Sequence, residues 1–249
     1  MPENEADLRK VEGAVYSIET FGTVDGPGIR YVMFLQGCPL RCLYCHIPDS
    51  VTTHWGTIWT AGQAVDVSLR YRTFIKNGGV TFSGGEPLMQ AKFVAAATRL
   101  LKAQGLHVAI DTAGCMPVQQ VKEAIDLADL LLLDIKAYDP DTAKRLSGQS
   151  SQSSFETLDY CEATGKPVWI RHVLLKGYTL NDGQLQALAH RLAGYTCVKM
   201  VELLPFHKLG EPKWELAGRE YTLQKVPATT KEETAAAKAI FEAEGLKVQ

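Results

Sequence analysis

The sequence contains no apolar run able to cross a bilayer. Its most apolar stretch, Leu127–Ile135, is broken by Asp129 and Asp134 and falls far short of a spanning helix. It also lacks an excess of either charge: the formal net charge is −2, so no basic footprint argues for nucleic acid. Met1–Lys10 is polar and acidic, without the apolar core of a secretion signal. A soluble, cytoplasmic protein with reduced thiols is therefore expected. Internal repeats, low-complexity tracts and an obvious linker are missing too. The 249 residues, 46% hydrophobic, can bury a full core, and one domain over residues 1–249 is expected.

Cysteine is sparse everywhere except in one place. Three of the six fall together in Gly37-Cys38-Pro39-Leu40-Arg41-Cys42-Leu43-Tyr44-Cys45-His46, a C-x3-C-x2-C run. Cys115, Cys161 and Cys197 stand apart, and neither C-x-x-C nor C-x-x-H recurs after His46. Cys161 and Cys197 read as small buried hydrophobes; Cys115, just after Asp111-Thr112-Ala113-Gly114, reads as a packed thiol, with a redox or ligand role as the alternative. Three thiolates hold three corners of a 4Fe-4S cube and leave one iron open, since a cube usually takes four. An open metal position suits a site that binds and activates a substrate. The alternative is a zinc knuckle of Cys38, Cys42, Cys45 and His46, which would lack the second half-motif that structural zinc sites usually have. The spacing, with Tyr44 before the last cysteine, resembles the radical S-adenosylmethionine (SAM) superfamily.

The rest of the chain alternates. Buried parallel strands are expected at Arg30–Gln36, Gly79–Ser83, His107–Asp111, Leu130–Lys136, Val168–Leu174 and Val198–Leu204. Between them, Phe93, Ala96, Ala97, Leu100 and Leu101 make one helical face, ended by Gly105. Leu185, Leu188, Ala189 and Leu192 make another, with Gly194 as its C-terminal cap, and Pro117 suits the first turn of a third. A last helix starts at the capping box Thr230-x-x-Glu233 and stops at Gly245. Six strand–helix units, where eight would close a barrel, predict an α/β fold of the incomplete (βα)6 TIM-like type. A strand or hairpin is expected within about residues 11–24, the core over about 29–204, and a loop and helix over about 205–249, with Pro205–Thr229 mostly irregular.

Ligands bind at the carboxyl ends of parallel strands. Here those ends carry the cysteine loop, Ser83-Gly84-Gly85-Glu86-Pro87, Asp111-Thr112, Asp134-Ile135-Lys136, Arg171-His172 and Pro205-Phe206-His207. Glycine allows close backbone approach, and lysine offers a point charge to the carboxylate of SAM. In order and spacing these segments, with Thr20–Arg30, Trp169–Val173, Glu202–Gly210 and Lys213-Trp214, resemble the pyruvate formate-lyase activating enzymes. The likeness runs from about Val11 to Val248.

That resemblance implies cluster ligands Cys38, Cys42 and Cys45, and a SAM site bordered by Tyr44, Cys45, His46, Gly85, Asp134, Ile135, Lys136, Arg171 and His207. It makes Lys136 catalytic with the cysteines, and places Asp111 and Thr112 where the family can hold a monovalent cation. It further implies a 5′-deoxyadenosyl radical that takes hydrogen from a glycine α-carbon of pyruvate formate-lyase. A flavodoxin or ferredoxin as electron donor and a monomeric state are implied as well. Ile47 stands where relatives often carry asparagine. Activators of other glycyl-radical enzymes often carry a cysteine-rich insertion; no cysteine lies between Cys45 and Cys115, which favours the simpler type. A small-molecule radical SAM enzyme and a non-catalytic zinc module are the other rivals.

Cys38→Ser, Cys42→Ser or Cys45→Ser is expected to abolish SAM cleavage, whereas Cys161→Ser and Cys197→Ser keep the cluster. Iron and sulfide analysis with a SAM-cleavage assay checks this; an active cluster in Cys42→Ser would sink it.

Overall fold

The computed structural model describes residues 4–52 and 56–249. Eight strands hydrogen-bond in the order β3-β1-β2-β4-β5-β6-β7-β8, so the sheet is mixed and open, with β3 and β8 as edges. They are β1 (Glu12–Gly22), β2 (Arg30–Leu35), β3 (Thr57–Thr60), β4 (Gly79–Gly84), β5 (Val108–Thr112), β6 (Leu130–Asp134), β7 (Val168–Leu174) and β8 (Val198–Pro205). All six expected parallel-type strands are present, displaced by at most two residues at any end. β6 stops at Asp134 rather than Lys136 because the ring of His172 takes the carbonyl of Ile135, 2.7 Å away, where a ladder bond would continue. Among the described residues, no helix is long and apolar enough to cross a membrane.

The chain divides into two compact units. The first runs to Pro39 and adds Ser50–Thr112 and Met116–Leu132. The expected N-terminal strand is β1, antiparallel to β2 on one side and β3 on the other, while β2, β4 and β5 pair in parallel. Strand β3 has no signature in the sequence: it is four residues long and mostly exposed. A short α1 (Glu5–Leu8) precedes β1, and α2 (Ala61–Leu69) and α3 (Arg72–Ile75) follow β3. A reciprocal cap between Thr60 and Gln63 starts α2. Helix α4 (Ala91–Ala103) buries Phe93, Ala96, Ala97, Leu100 and Leu101 as its periodicity requires. Pro117 is the N-cap of α5 (Val118–Leu127), one position earlier than expected.

The second unit comprises Leu40–Asp49, Ala113–Cys115 and Leu133–Gln249, with β7 and β8 parallel. Helices α6 (Pro140–Ser147) and α7 (Gln152–Thr164) follow β6. The first starts on the Asp139 cap with Pro140 next, and Gly148 ends it at φ +85°. Helix α8 (Asp182–Ala193) ends on Gly194, which is right-handed and so does not form a left-handed cap. The segment Pro205–Thr229 is not wholly irregular, since it contains α9 (Glu211–Leu216). The Thr230–Glu233 capping box opens α10 (Lys231–Ala243), and Gly245 follows at φ +79°.

One buried cation organises the first unit. Arg30 is fully buried, and its guanidinium donates to the carbonyls of Pro27 (3.2 Å), Gly78 (2.8 Å) and Val80 (2.6 Å) and to the Thr81 hydroxyl. Thr81 in turn donates to the Asp25 carbonyl at 2.7 Å, so the loop before β2 is stitched to β4. Burial pushes the Arg30 guanidinium down to about 10, still charged at neutral pH.

Arg30→Met keeps much of the side-chain bulk but leaves these acceptors unmet. It is expected to destabilise the protein by about 3 kcal/mol or more, at 1–3 kcal/mol per buried unsatisfied group. A urea midpoint unchanged from the wild type would refute this.

Candidate cofactor-binding residues

The cysteine loop begins in the first unit with Cys38 and continues in the second with Cys42 and Cys45. All three are half-buried and none is in a disulfide. In the first unit the Gly37 N–H donates to the Ser50 carbonyl at 2.7 Å, and the Cys38 N–H to that of Val51 at 3.3 Å. Gly85 packs directly beneath: a Cβ there would stand 2.2 Å from the Gly37 oxygen and 3.1 Å from the Cys38 Cβ. Only glycine permits that approach. The neighbouring Glu86 N–H donates to the Gly37 carbonyl at 2.8 Å, closing the arrangement.

Asp111 and Thr112 end β5 in the same unit, and both are engaged by neighbours. Ser83 donates to Asp111 at 2.7 Å, and Thr112 donates to Glu86 at 2.7 Å. Glu86 is fully buried and also caps the turn after β4 through the Leu88 N–H. The sequence offered Gly85 for its backbone and gave no separate reason to choose Glu86; its two buried donors make it part of the same cluster.

In the second unit the loop is fastened by backbone bonds from Arg41 to Ser147 (2.7 Å) and Leu43 to Leu146 (2.9 Å). Tyr44 is buried in an apolar cluster with Leu146, Leu175, Phe206, Trp214, Tyr221 and Leu223. Its hydroxyl meets no hydrogen-bond partner among the described residues. Burial, the largest influence, raises the hydroxyl far above its ordinary value. The Cys45 thiol is likewise pushed up by burial, which a metal would reverse by taking the thiolate.

Asp134 and Lys136 lie two residues apart at the end of β6 and meet as an ion pair at 2.8 Å. The Lys136 ammonium stands 5.7 Å from the centre of the Tyr44 ring. Burial alone would lower Lys136, but Asp134, Tyr44 and Cys42 outweigh it and hold the ammonium well above its ordinary value. Ile135 between them is fully buried, its N–H donating to the Arg171 carbonyl at 3.0 Å. Its carbonyl accepts from His172, so the Nδ1 of that ring carries the proton. Burial pushes His172 down, leaving it neutral at pH 7.

His46 and His207 stack with ring centres 4.4 Å apart. Burial first, then His207, holds His46 below the usual histidine range. Arg171 does not stand alone at the end of β7: it pairs with Glu202 of β8 at 3.2 Å, both nearly buried. His172, Glu202 and Trp214 complete this constellation; the sequence placed His172 at a strand end and the other two in family-like segments but could not supply their partners, which are set by strand pairing and a distant loop.

The residues fit a cluster and SAM. The donor set is three thiols; Gly85 gives a side-chain-free approach beside Cys38; the buried Tyr44 hydroxyl and the Lys136 ammonium supply polar contacts near Cys42 and Cys45. Among the described residues no three His, Cys, Asp or Glu side chains converge on a single metal ion. A cube does not require that, since each thiolate binds its own iron.

The family described as the radical SAM superfamily matches residues 32–189. Members of that class in general use SAM and a 4Fe-4S cluster. A curated pyruvate formate-lyase-activating enzyme of Listeria monocytogenes is 38% identical, covering 96% of this chain and 100% of that protein. Pyruvate formate-lyase 1-activating enzyme of Escherichia coli is 40% identical over 96% of this chain and 98% of its own. The chain belongs to the family of pyruvate formate-lyase-activating enzymes. A crystal structure of a domain of such an enzyme from Bacteroides vulgatus aligns with a TM-score of 0.59 at 25% identity, covering 69% of this chain and 98% of that one.

Lys136→Met is expected to weaken SAM binding by about 1.5–3 kcal/mol, the range for a hydrogen bond to a charged group, without loss of iron. An unchanged SAM affinity in equilibrium titration would return Lys136 to a purely structural partner of Asp134.

Proposed function

We propose that the protein activates pyruvate formate-lyase by reductive cleavage of SAM and abstraction of a hydrogen atom from one glycine α-carbon of that partner. The observation that carries this is the near end-to-end identity of 38–40% with curated activating enzymes, together with the C-x3-C-x2-C motif. When bound, a cluster on Cys38, Cys42 and Cys45 supplies the single electron that opens a carbon–sulfur bond of SAM. A flavodoxin or ferredoxin is the proposed reductant.

The chain's own residues would bind and orient. The Lys136 ammonium, kept charged by Asp134, supplies a cation for the methionine carboxylate. Gly85 admits the methionine end against the backbone, and the His46–His207 stack offers a flat edge to the nucleoside. Tyr44, Ile135 and Arg171, the last held by Glu202, border the same site. Asp111 and Thr112, with the Glu86 carboxylate beside them, are the proposed holders of a monovalent cation. A monomer acting as one catalytic domain is part of the proposal; the family match that runs through both units supports the single domain. The absence of cysteine between Cys45 and Cys115 favours pyruvate formate-lyase over partners whose activators carry extra clusters.

Anaerobic mixing with pyruvate formate-lyase, SAM and a reductant is expected to give a glycyl-type paramagnetic resonance signal, with 5′-deoxyadenosine formed in equal amount. SAM cleaved equally fast with and without the partner, and no protein radical, would point to a small-molecule substrate instead.

A further inference from the structure

Trp214 lies in α9 with its ring buried, and its indole N–H donates to the carbonyl of Cys45 at 2.8 Å, across 169 positions of sequence. Other contacts converge on the same place. Gly210, the residue before α9, is so close to the loop that a Cβ would stand 2.9 Å from the Cα of His46. His207 stacks on the His46 ring, and Trp214 itself is backed by Tyr221, ring centres 5.5 Å apart. On its other side the Cys45 N–H donates to the Cys42 carbonyl at 3.1 Å.

The Cys45 carbonyl belongs to the planar peptide that joins Cys45 to His46. Fixing the direction of that oxygen fixes the plane, and with it the backbone angles on either side. One bond therefore aims two side chains, the Cys45 thiol and the His46 ring. Apolar packing alone could hold the loop near α9, but it could not choose this orientation. A directional donor can.

We propose that Trp214 is a positioning residue for SAM binding: its N–H sets the Cys45–His46 peptide so that thiolate and imidazole are presented together. This rests on the reading that Cys45 binds the cluster and His46 borders SAM.

The test uses full-length holoprotein, reconstituted anaerobically, with Trp214 replaced site-specifically by benzothienylalanine, in which sulfur takes the place of the N–H at nearly constant shape. Trp214→Phe serves as a second variant that loses bulk as well. Iron and sulfide content are expected to equal the wild type in the benzothienylalanine protein. The SAM-induced change in the resonance spectrum of the reduced cluster is expected to require about tenfold more SAM, as for loss of one buried hydrogen bond. Chelator should also remove iron several-fold faster. A benzothienylalanine protein that matches the wild type in SAM titration and in chelation would overturn the inference, even if Trp214→Phe is impaired, because only bulk would then matter. A wild-type protein that takes up no cluster, or whose cluster ignores SAM, would overturn the underlying reading of Cys45 and His46 and this inference with it.

Discussion

The loop that carries Cys38, Cys42 and Cys45 is held largely through its peptide groups. That constraint shapes both ends of the cysteine loop. Gly37 and Cys38 donate to the carbonyls of Ser50 and Val51, and Gly37 accepts from Glu86. Arg41 and Leu43 donate to the end of α6, and Cys45 is fixed through both its N–H and its carbonyl. These bonds run between backbone groups and the Trp214 indole, so a metal that took the thiols would leave them in place. The glycine at position 85 follows from the same constraint, because a backbone packed against a backbone leaves no room for a Cβ.

Within each unit the fold places charge where water is scarce, and each charge has a fixed companion. Lys136 has Asp134, Arg171 has Glu202, and Arg30 has a ring of carbonyls. Buried pairs of this kind add little net stability, since desolvation offsets much of their attraction. Their value here is orientation. A lysine already paired with a carboxylate stays charged and is held in one direction.

Much of this was legible from residue order. The six parallel-type strands follow from short apolar runs bounded by glycine or polar residues, and each places its chemistry at its carboxyl end. Asp134 and Lys136 could be picked out because they stand at the carboxyl end of an expected strand, in a segment shared with the family. Strand β3 was not legible, being too short and too exposed to leave a pattern. The early stop of β6 could not be read either, because it depends on His172 reaching the Ile135 carbonyl from the neighbouring strand. Nor could the role of Glu86, whose donors come from Thr112 and Leu88. Periodicity reports on burial along one element; it is silent about which side chain crosses to another.

The 169-position separation between Cys45 and Trp214 also has a temporal meaning. A ribosome delivers the cysteine loop early and its last fastening late, roughly 10–30 s apart at ordinary elongation speeds. Throughout that interval three thiols are present without the clamp that orients them. In the proposed reading, SAM would meet an oriented Cys45–His46 peptide only once the chain is complete through α9, whereas a nascent chain would present the same thiols without that order.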